Sequence, residues 1–401
     1  MKRILLENFL RYVKIDTMSD EESNTTPSTQ KQFQLAKILE TELKTLGLQD
    51  VHVSKDCFVY ATLPSNLKNN TASIGFIAHM DTIPGFSGTN VKPMVIESYD
   101  GKTIKLSGIE LTPTQFPFLK ELKGKTLITT DGTTVLGADD KAGIAEIMTM
   151  LWVLTKENLP HAELHIAFTP DEEIGTGVQS FDLTKFNCDY AYTVDGGAYN
   201  EINFENFNAA SATVTIKGLD IHPGSAKNQM LNANELAMEF HHMLPKEQKP
   251  EYTELYEGFI HLTDMKGTVG EAQLSYIIRD HNKKTLEKKK DILKYAQDFI
   301  NKKYGKPLVH VPIQDSYFNM AEIIKKNPKC LAHAEKAMQR LGIEPAASPI
   351  RGGTDGARLT YMGLPTPNLG TGGYNCHGPY ELACLEEMEW VTKILIEISK
   401  T

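Results

Sequence analysis

The sequence predicts an α/β protein, built on a mostly parallel mixed sheet flanked by helices and carrying an inserted α+β domain. Up to about residue 207, apolar strand-like runs alternate with helical stretches, which is typical of such a sheet. With 401 residues, the chain also exceeds the size at which one hydrophobic core usually stops growing. Because the order of elements changes between residues 208 and 320, we expect two domains, one inserted in the other.

The first domain is predicted to contain residues 1–207 and 321–401. Its early part reads as strand, helix, strand and strand, in the segments SIGFIAHMD, DDKAGIAEIMTMLWVL, AELHIAFTPDEE and CDYAYTVDGG. Its late part continues this alternation with a helix around AEKAMQRLG, a short strand PTPNLG and a closing helix LEEMEWVTKILIEIS. Ahead of the first strand, Thr29 and Gln32 match a capping box, and Gly47 marks a helix stop.

The inserted domain is predicted to span residues 208–320. Its segments read β-α-β-β-α-β, in the order AASATVTIKG, NANELAMEFHHML, GFIHLTDMKGTV, EAQLSYIIRD, TLEKKKDILKYAQDFINKK and LVHVPIQD. This order is typical of a ferredoxin-like module. We interpret it as a lid over the first domain.

Composition and charge exclude several classes of partner. A formal net charge of -9 argues against a nucleic-acid partner. The basic run Lys283, Lys284, Lys288, Lys289 and Lys290 is interleaved with acids, so we interpret it as a solvated helix face. Since the sequence has no stretch of roughly 20 apolar residues, we expect no membrane span. No export signal is visible, and the five scattered cysteines favour a cytoplasmic protein.

The candidate site residues stand at the ends of successive predicted strands, where open α/β sheets bind their ligands. These residues are His79, Asp81, Asp139, Glu172, Glu173, Asp195 and His377. A lone histidine or a terminal carboxylate is more often a satisfied polar group or a helix cap. The constellation as a whole is what indicates a site.

The two aspartates near the first strand and the helix after it have different interpretations. His79 and Asp81 lie two apart on one strand, so they share a face, and Asp81 could orient a metal-bound imidazole. Asp139 and Asp140 come just before a helix. We interpret Asp140 as the N-cap and Asp139 as a site residue.

The adjacent Glu172 and Glu173 favour a metal site with a general base. Carboxylates at an acidic pocket need a positive partner, and two metal ions can share one carboxylate. A set of oxygen and imidazole ligands without cysteine favours zinc, with manganese or cobalt as alternatives. One glutamate would ligate a metal while the other moves a proton, and the spacing leaves open which does which.

Five motifs resemble the metal motifs of the co-catalytic zinc exopeptidases, a family that includes carboxypeptidase G and aminoacylase. They are A-H-M-D, L-G-A-D-D-K-A-G, T-P-D-E-E-I-G, V-D-G-G and Y-N-C-H-G. Longer phrases, among them F-E-N-F-N-A-A-S, Y-I-I-R-D and P-I-R-G-G-T-D-G-A, are most similar to the tripeptide aminopeptidases of that family. The likeness runs along nearly the whole chain.

The resemblance implies a catalytic domain of the zinc-exopeptidase fold with two zinc ions per subunit. His79 and Asp195 would hold one ion, Glu173 and His377 the other, and Asp139 would bridge both. It further implies Glu172 as the general base, Asp81 as the residue that orients His79, and a cis peptide bond between Asp139 and Asp140.

The resemblance also implies a substrate and a partner. The chain is expected to be an aminopeptidase that removes the N-terminal residue of short peptides, chiefly tripeptides, by attack of a zinc-bridged water. The inserted domain would form a homodimer and lend His222 across the interface to the reacting carbonyl. Arg279 and Arg351 would hold the peptide carboxylate, for which a forked guanidinium is suited.

Three alternatives stay open at this point. The same metal site could serve a carboxypeptidase, a dipeptidase or an N-acyl amino acid deacylase. Paired carboxylates also occur in metal-free glycosidases, although that reading leaves His79 and His377 without a role. A third alternative is a non-catalytic binding protein on the same fold. Nucleotide binding is not expected, because Ala138 and Asp139 replace the Lys and Ser/Thr of a phosphate loop.

Overall fold

A computed structural model describes residues 1–68 and 72–400 of the chain. These residues form two compact units. The first unit consists of Met1–Phe204, Glu322–Ser348 and Thr354–Thr401, and the second of Glu205–Ala321 and Pro349–Gly353. The short segment Pro349–Gly353, which the sequence placed with the first domain, therefore belongs to the second unit.

Helices occur along the whole described chain. They are α1 (Lys2–Tyr12), α2 (Gln32–Leu46), α3 (Ala138–Lys156), α4 (Ala233–His242), α5 (Lys283–Tyr304), α6 (Ala321–Lys326), α7 (Lys329–Arg340), α8 (Asp355–Tyr361) and α9 (Leu385–Ser399).

The strands of the first unit before the second unit begins are β1 (Gln49–Val53), β2 (Val59–Leu63), β3 (Ile74–His79), β4 (Met94–Ile96), β5 (Ile104–Lys105), β6 (Glu110–Leu111), β7 (Leu127–Thr129), β8 (Leu164–Thr169), β9 (Tyr190–Gly196) and β10 (Ile202–Asn203). The strands of the second unit are β11 (Asn208–Lys217), β12 (Phe259–Gly267), β13 (Glu271–Asp280), β14 (Val309–His310) and β15 (Ile313–Tyr317). The first unit ends with β16 (Asn368–Gly370), β17 (Gly373–Tyr374) and β18 (Leu382–Cys384).

A mixed sheet of seven strands organises the first unit, in the order β1-β2-β8-β3-β9-β16-β10. Its central strands β8, β3, β9 and β16 run parallel, and the strands at both edges pair antiparallel. The side chains of β3 and β8 are buried throughout, as expected for strands covered on both faces. The predicted fold class is confirmed.

Helix α3 lies at the centre of the first unit. It packs against β3 and β9 and also against α1 and α9, so most of its residues are buried. Gly143 makes the approach to β9 possible, because a Cβ at this position would lie 2.0 Å from the main-chain oxygen of Val194. The glycine therefore sets how closely the start of α3 can approach the end of β9.

A smaller antiparallel sheet in the first unit was not predicted. Its order is β17-β18-β7-β4, and its strands have only two or three residues. Runs this short carry almost no periodic signal. The sheet matters for the site because β17 and β18 bracket the loop that contains His377.

The second unit has the predicted ferredoxin-like arrangement. Its elements follow the order β11-α4-β12-β13-α5-β14, and its strands are arranged as β12-β13-β11-β14 with antiparallel neighbours. Strand β15 continues beside β11. Alternate residues of β11 and β13 enter one core with α4 and α5, including Val214, Ile216, Leu274, Tyr276, Phe240 and Leu293.

Two local predictions, the capping box of α2 and the solvated basic run of α5, were wrong because the side chains bind other groups. Thr29 does not cap α2: its Oγ1 donates to the Met18 oxygen at 2.8 Å, and Gln32 Nε2 donates to Asp171 Oδ1 at 2.7 Å. The stop at Gly47 is confirmed, since Gly47 has φ of +86° at the end of α2.

The second error concerns the basic run of α5. Lys289 and Lys290 are buried, where Lys289 pairs with Asp280 at 2.9 Å and Lys290 with Glu287 at 2.7 Å. Only Lys283, Lys284 and Lys288 lie on the solvated face.

Within residues 1–68 and 72–400, no helix combines the length and the apolar character that crossing a bilayer demands.

The contact at Gly143 gives a first testable prediction. Gly143→Ala should lower the free energy of unfolding by about 1–3 kcal/mol, because the added methyl group meets the Val194 carbonyl. The better helix propensity of alanine, about 1 kcal/mol, opposes this loss. Denaturant unfolding measures the difference. Gly85→Ala is the control, since a Cβ there meets nothing within 4 Å, and equal stability of the two variants would contradict the prediction.

Candidate metal centre

Strand order brings the predicted site residues of the main sheet together. His79 is the last residue of β3, Glu172 and Glu173 follow β8, and Asp195 lies near the end of β9. The three strands are parallel neighbours in the order β8-β3-β9. Their carboxyl ends therefore meet at one edge of the sheet, where such folds bind ligands.

The carboxylate of Asp139 lies between two imidazoles. Its Oδ1 is 2.8 Å from His79 Nε2, and its Oδ2 is 3.1 Å from His377 Nε2. On the outer sides, Asp195 Oδ1 is 3.5 Å from His79 Nε2 and Glu173 Oε2 is 3.0 Å from His377 Nε2. Five predicted residues thus form one chain of contacts in which Asp139 is the central member.

Two groups of residues in the described chain could each hold a metal ion. One is His79, Asp139 and Glu173, and the other is His79, Asp140 and Asp195, with ligand atoms within 4.8 Å of one another. The Asp140 oxygens are already engaged, since they accept from His79 N at 3.1 Å and Gly143 N at 3.2 Å. This agrees with a capping role for Asp140, and the peptide bond that precedes it is cis, as expected.

Asp81 contacts both parts of the site. Its Oδ1 lies 3.4 Å from His79 Nδ1. Its two oxygens also accept the main-chain N–H groups of Glu172 and Glu173 at 3.0 and 3.2 Å. The sequence predicted the first contact but not the second, by which Asp81 fixes the turn that carries both glutamates.

Neighbouring charges decide the ionisation of the central groups. Burial lowers the pKa of His79, but Asp195 and Asp139 outweigh it and hold this pKa well above its ordinary value. Burial raises the pKa of Asp139, yet hydrogen bonds to His377 and His79 outweigh it and bring this pKa below its usual range. Hydrogen bonds to Asp139 and Glu173 raise the pKa of His377 to about 11. Asp139 and the two imidazoles therefore shift one another's pKa toward the charged form.

The surrounding carboxyl groups lie close together in a buried place. Burial raises the pKa of Asp195 to about 6 and that of Glu173 to about 7, against the opposing effect of the imidazoles. Burial and the charge of Asp195 raise the pKa of Glu172 well above its ordinary value. Such shifts mark a site where a further cation would be stabilised.

The donor set fits a pair of divalent metal ions. Imidazole nitrogens and carboxylate oxygens converge, and none of the five central residues is a cysteine. Zinc takes such mixed nitrogen and oxygen ligands. A carboxylate with one oxygen toward each imidazole, as in Asp139, has the shape needed to touch two ions.

Glu381 is a functional candidate that the sequence reasoning missed. Its buried carboxylate accepts the main-chain N–H groups of Leu136, Gly137 and Asp139 at 2.7, 2.8 and 3.0 Å. Burial raises its pKa to about 7. Glu381 lies between the His377 loop and β18, so it holds the backbone of Asp139 from the small sheet. The hydrogen-bond partners of Glu381 are main-chain N–H groups, and no sequence motif predicts such contacts.

Two more buried aspartates were missed near the glutamate turn. Asp171 accepts hydrogen bonds from Ser28 and Gln32. Asp355 accepts from Thr169 Oγ1 at 3.1 Å, and burial raises its pKa to about 7. Asp171 stands directly before Glu172 in the T-P-D-E-E motif, which was the available signal for it.

The remaining predicted residues lie in the second unit. His222 is exposed, and its Nδ1 accepts from Gly224 N at 3.1 Å. Arg279 Nη1 donates to the oxygens of Ala210 and Ile278, both at 3.2 Å, and its guanidinium lies over the Tyr317 ring.

Arg351 is held more extensively than Arg279. Its Nη1 donates to the oxygens of Leu255 and Glu257, both at 2.8 Å, and its Nη2 donates to Thr253 Oγ1 at 3.0 Å. The guanidinium also stacks over the rings of Phe207 and Phe259. In this structure Arg351 ties the segment 349–353 to the loop 253–257.

The class that this fold and site define is an α/β protein with a candidate metal site at the carboxyl ends of its central strands. Comparisons with known proteins specify the family. Peptidase T of Alkaliphilus oremlandii is 52% identical over 400 residues, which is 98% of this chain and 98% of that protein. Peptidase T of Bacillus subtilis is 49% identical over 404 residues, covering 100% and 98%. The chain belongs to the peptidase T family and is therefore a peptidase.

Two family models match parts of the chain, and a solved structure has the same fold. A model of the peptidase dimerisation domain matches residues 204–307, and a model of M42 glutamyl aminopeptidase matches residues 122–230. The crystal structure of aminopeptidase PepT from Bacillus cereus has the same fold, with a TM-score of 0.78, 22% identity and coverage of 100% of this chain and 98% of that chain.

The contacts of Glu381 give a second testable prediction. Glu381→Gln should keep the fold but lower the affinity for zinc about tenfold, because an amide cannot accept all three N–H groups that position Asp139. Titration with zinc against a competing chelator measures the affinity.

Glu387→Gln is the matched control for this variant. Glu387 is buried nearby but binds Lys125 and Tyr374 instead of the 136–139 turn. Equal zinc affinity in the wild type and in Glu381→Gln would show that Glu381 does not position the site.

Proposed function

We propose that the chain is a tripeptide aminopeptidase with two zinc ions per subunit, for which manganese or cobalt could substitute. His79 and Asp195 would hold one ion, Glu173 and His377 the other, and Asp139 would contact both. The observation that carries this proposal is the Asp139 carboxylate, whose two oxygens face His79 and His377. Membership of the peptidase T family supports it.

The proton transfers of the reaction are assigned to Glu172. When bound, the metal pair would supply a Lewis acid for the peptide carbonyl and lower the pKa of a water molecule. Glu172 takes the proton that the attacking water loses and delivers it to the nitrogen of the leaving amine as the C–N bond breaks. Asp81 supports this step by binding the main chain of Glu172 and by contacting His79.

Residues of the second unit are proposed to bind the peptide. Both donations of Arg279 come from Nη1, so Nη2 and Nε are the atoms with which it would hold the peptide carboxylate. His222 would meet the reacting carbonyl through Nε2, since its Nδ1 is bound to Gly224. The contacts of Arg351 with the loop 253–257 use Nη1 and Nη2, so Arg351 would hold the same carboxylate through Nε.

Binding of both peptide termini would explain a preference for tripeptides. A site that accommodates both the amino and the carboxyl terminus of its substrate would not accept longer peptides. We propose a homodimer through the second unit, supported by the match to the peptidase dimerisation domain.

A cytoplasmic location is proposed as well, because the five free cysteines suit a reducing compartment.

The assignment of the general base gives a third testable prediction. Glu172→Gln should bind two zinc ions with wild-type stoichiometry and lose about a thousandfold in kcat, because the amide cannot accept the proton of water. Metal analysis and peptide hydrolysis measure the two quantities. Turnover close to that of the wild type would remove Glu172 from the mechanism. Glu163→Gln, at a glutamate beyond the other end of β8, is the control.

The activity itself gives a fourth prediction. The enzyme should release the first residue of Ala-Gly-Gly, act weakly on the matched dipeptide and tetrapeptide, and leave N-acetylated Ala-Gly-Gly intact. Removal of metal by a chelator should abolish hydrolysis, and zinc should restore it.

Other products in the same assay would identify other enzymes. Release of the last residue would indicate a carboxypeptidase, and release of acetate would indicate a deacylase. Hydrolysis that persists after complete metal removal would contradict the metal-dependent mechanism.

A further inference from the structure

A second feature of the first unit is an open cavity beside Glu173. Its volume is about 470 Å³. One wall is formed by the loop 21–26, and the other by Glu173, Ile174, Thr176 and Gln179. The cavity therefore shares Glu173 with the candidate metal centre, while its other lining residues lie outside that cluster.

Asp171 holds both walls of this cavity in place. Its Oδ2 accepts from Ser28 N at 2.7 Å, and its Oδ1 accepts from Ser28 Oγ at 2.5 Å and from Gln32 Nε2 at 2.7 Å. Ser28 Oγ in turn accepts from Asp20 N at 3.0 Å. The loop 21–26 is thus joined to Asp171 directly through Ser28, which follows the loop, and indirectly through Asp20, which precedes it.

The opposite wall is a hydrogen-bonded turn. Gly175 N donates to the Glu172 oxygen at 2.7 Å, and Thr176 N donates to the Asp171 oxygen at 3.1 Å. Both walls of the cavity are therefore hydrogen-bonded to residues 171–172, which come directly before Glu173.

The chemistry of the lining is polar and acidic. Ser23, Thr25, Thr26 and Thr176 bring hydroxyl groups, Asn24 and Gln179 bring amides, and Ile174 is the apolar member. Glu21 adds an exposed carboxylate at the loop. Among the lining residues, which all lie in the described part of the chain, none is lysine, arginine or histidine.

We infer that this cavity receives the side chain of the first residue of the substrate and favours a basic one such as lysine. The inference rests on the proposed function, because cleavage of the first peptide bond places the carbonyl of the first residue at the metal centre. The Cβ of that residue is two bonds from the carbonyl carbon, so its side chain must enter space next to a metal ligand. Glu173 borders such a space.

Charge decides which side chains fit. Glu21 attracts a lysine or arginine side chain and repels a glutamate, and the hydroxyl and amide groups can accept the N–H bonds of an ammonium. The order of kcat/KM is expected to be Lys-Gly-Gly above Met-Gly-Gly, and Met-Gly-Gly well above Glu-Gly-Gly.

The test compares these three tripeptides in the zinc-loaded enzyme and in Glu21→Gln. The ratio of kcat/KM for Lys-Gly-Gly to that for Met-Gly-Gly should fall about fivefold, the worth of one solvent-exposed ion pair. Glu22→Gln is the matched control, since Glu22 is the next residue of the loop but does not line the cavity. Its ratio should equal that of the wild type.

A second variant tests the size of the cavity without relying on charge. Gln179→Trp should fill part of the space and reduce kcat/KM for Lys-Gly-Gly and Met-Gly-Gly about tenfold relative to Ala-Gly-Gly. Circular dichroism confirms that each variant is folded before it is assayed.

The outcomes separate this inference from the proposed function. Chelator-sensitive cleavage of Ala-Gly-Gly by the wild type with no change of first-residue preference in either variant would overturn the inference alone. An effect that follows lysine at the third position, in Ala-Gly-Lys, would also overturn it, because the cavity would then bind another residue. Failure of the wild type to cleave any of the peptides would overturn the proposed function.

Discussion

The position of the Asp139 carboxylate is the constraint on which the rest of the site depends. One carboxylate contacts two imidazoles that come from different parts of the first unit, His79 from the main sheet and His377 from the small one. It can do so only because its backbone is fixed, and Glu381 fixes it through three main-chain N–H groups. The small sheet therefore supplies both a candidate ligand and the support of the central residue.

The packing of α3 also fixes where Asp139 lies. Gly143 allows the helix to approach β9, and this approach brings the residues at the start of α3 to the edge of the sheet where Asp195 lies. Asp140 links the helix start to β3 through the His79 main chain. Close backbone packing, rather than side-chain flexibility, thus determines the separation of the candidate ligands.

Much of this arrangement could be predicted from the sequence because strands and ligands carry local patterns. The buried strands that have His79, Glu172 or Asp195 at or just after their carboxyl ends are visible as apolar runs followed by polar residues. The residues that support the candidate ligands could not be predicted, because their contacts have no local sequence pattern. Glu381 and Asp171 bind backbone or hydroxyl groups more than a hundred residues away, and the strands of the small sheet are too short to show a period.

Anomalous diffraction at the zinc edge, from crystals grown with zinc, tests the central claim most directly. The account predicts two peaks per subunit, both adjacent to Asp139, one beside His79 and Asp195 and the other beside Glu173 and His377. A single peak, or two peaks that lie next to Asp140 and not next to Asp139, would contradict the account.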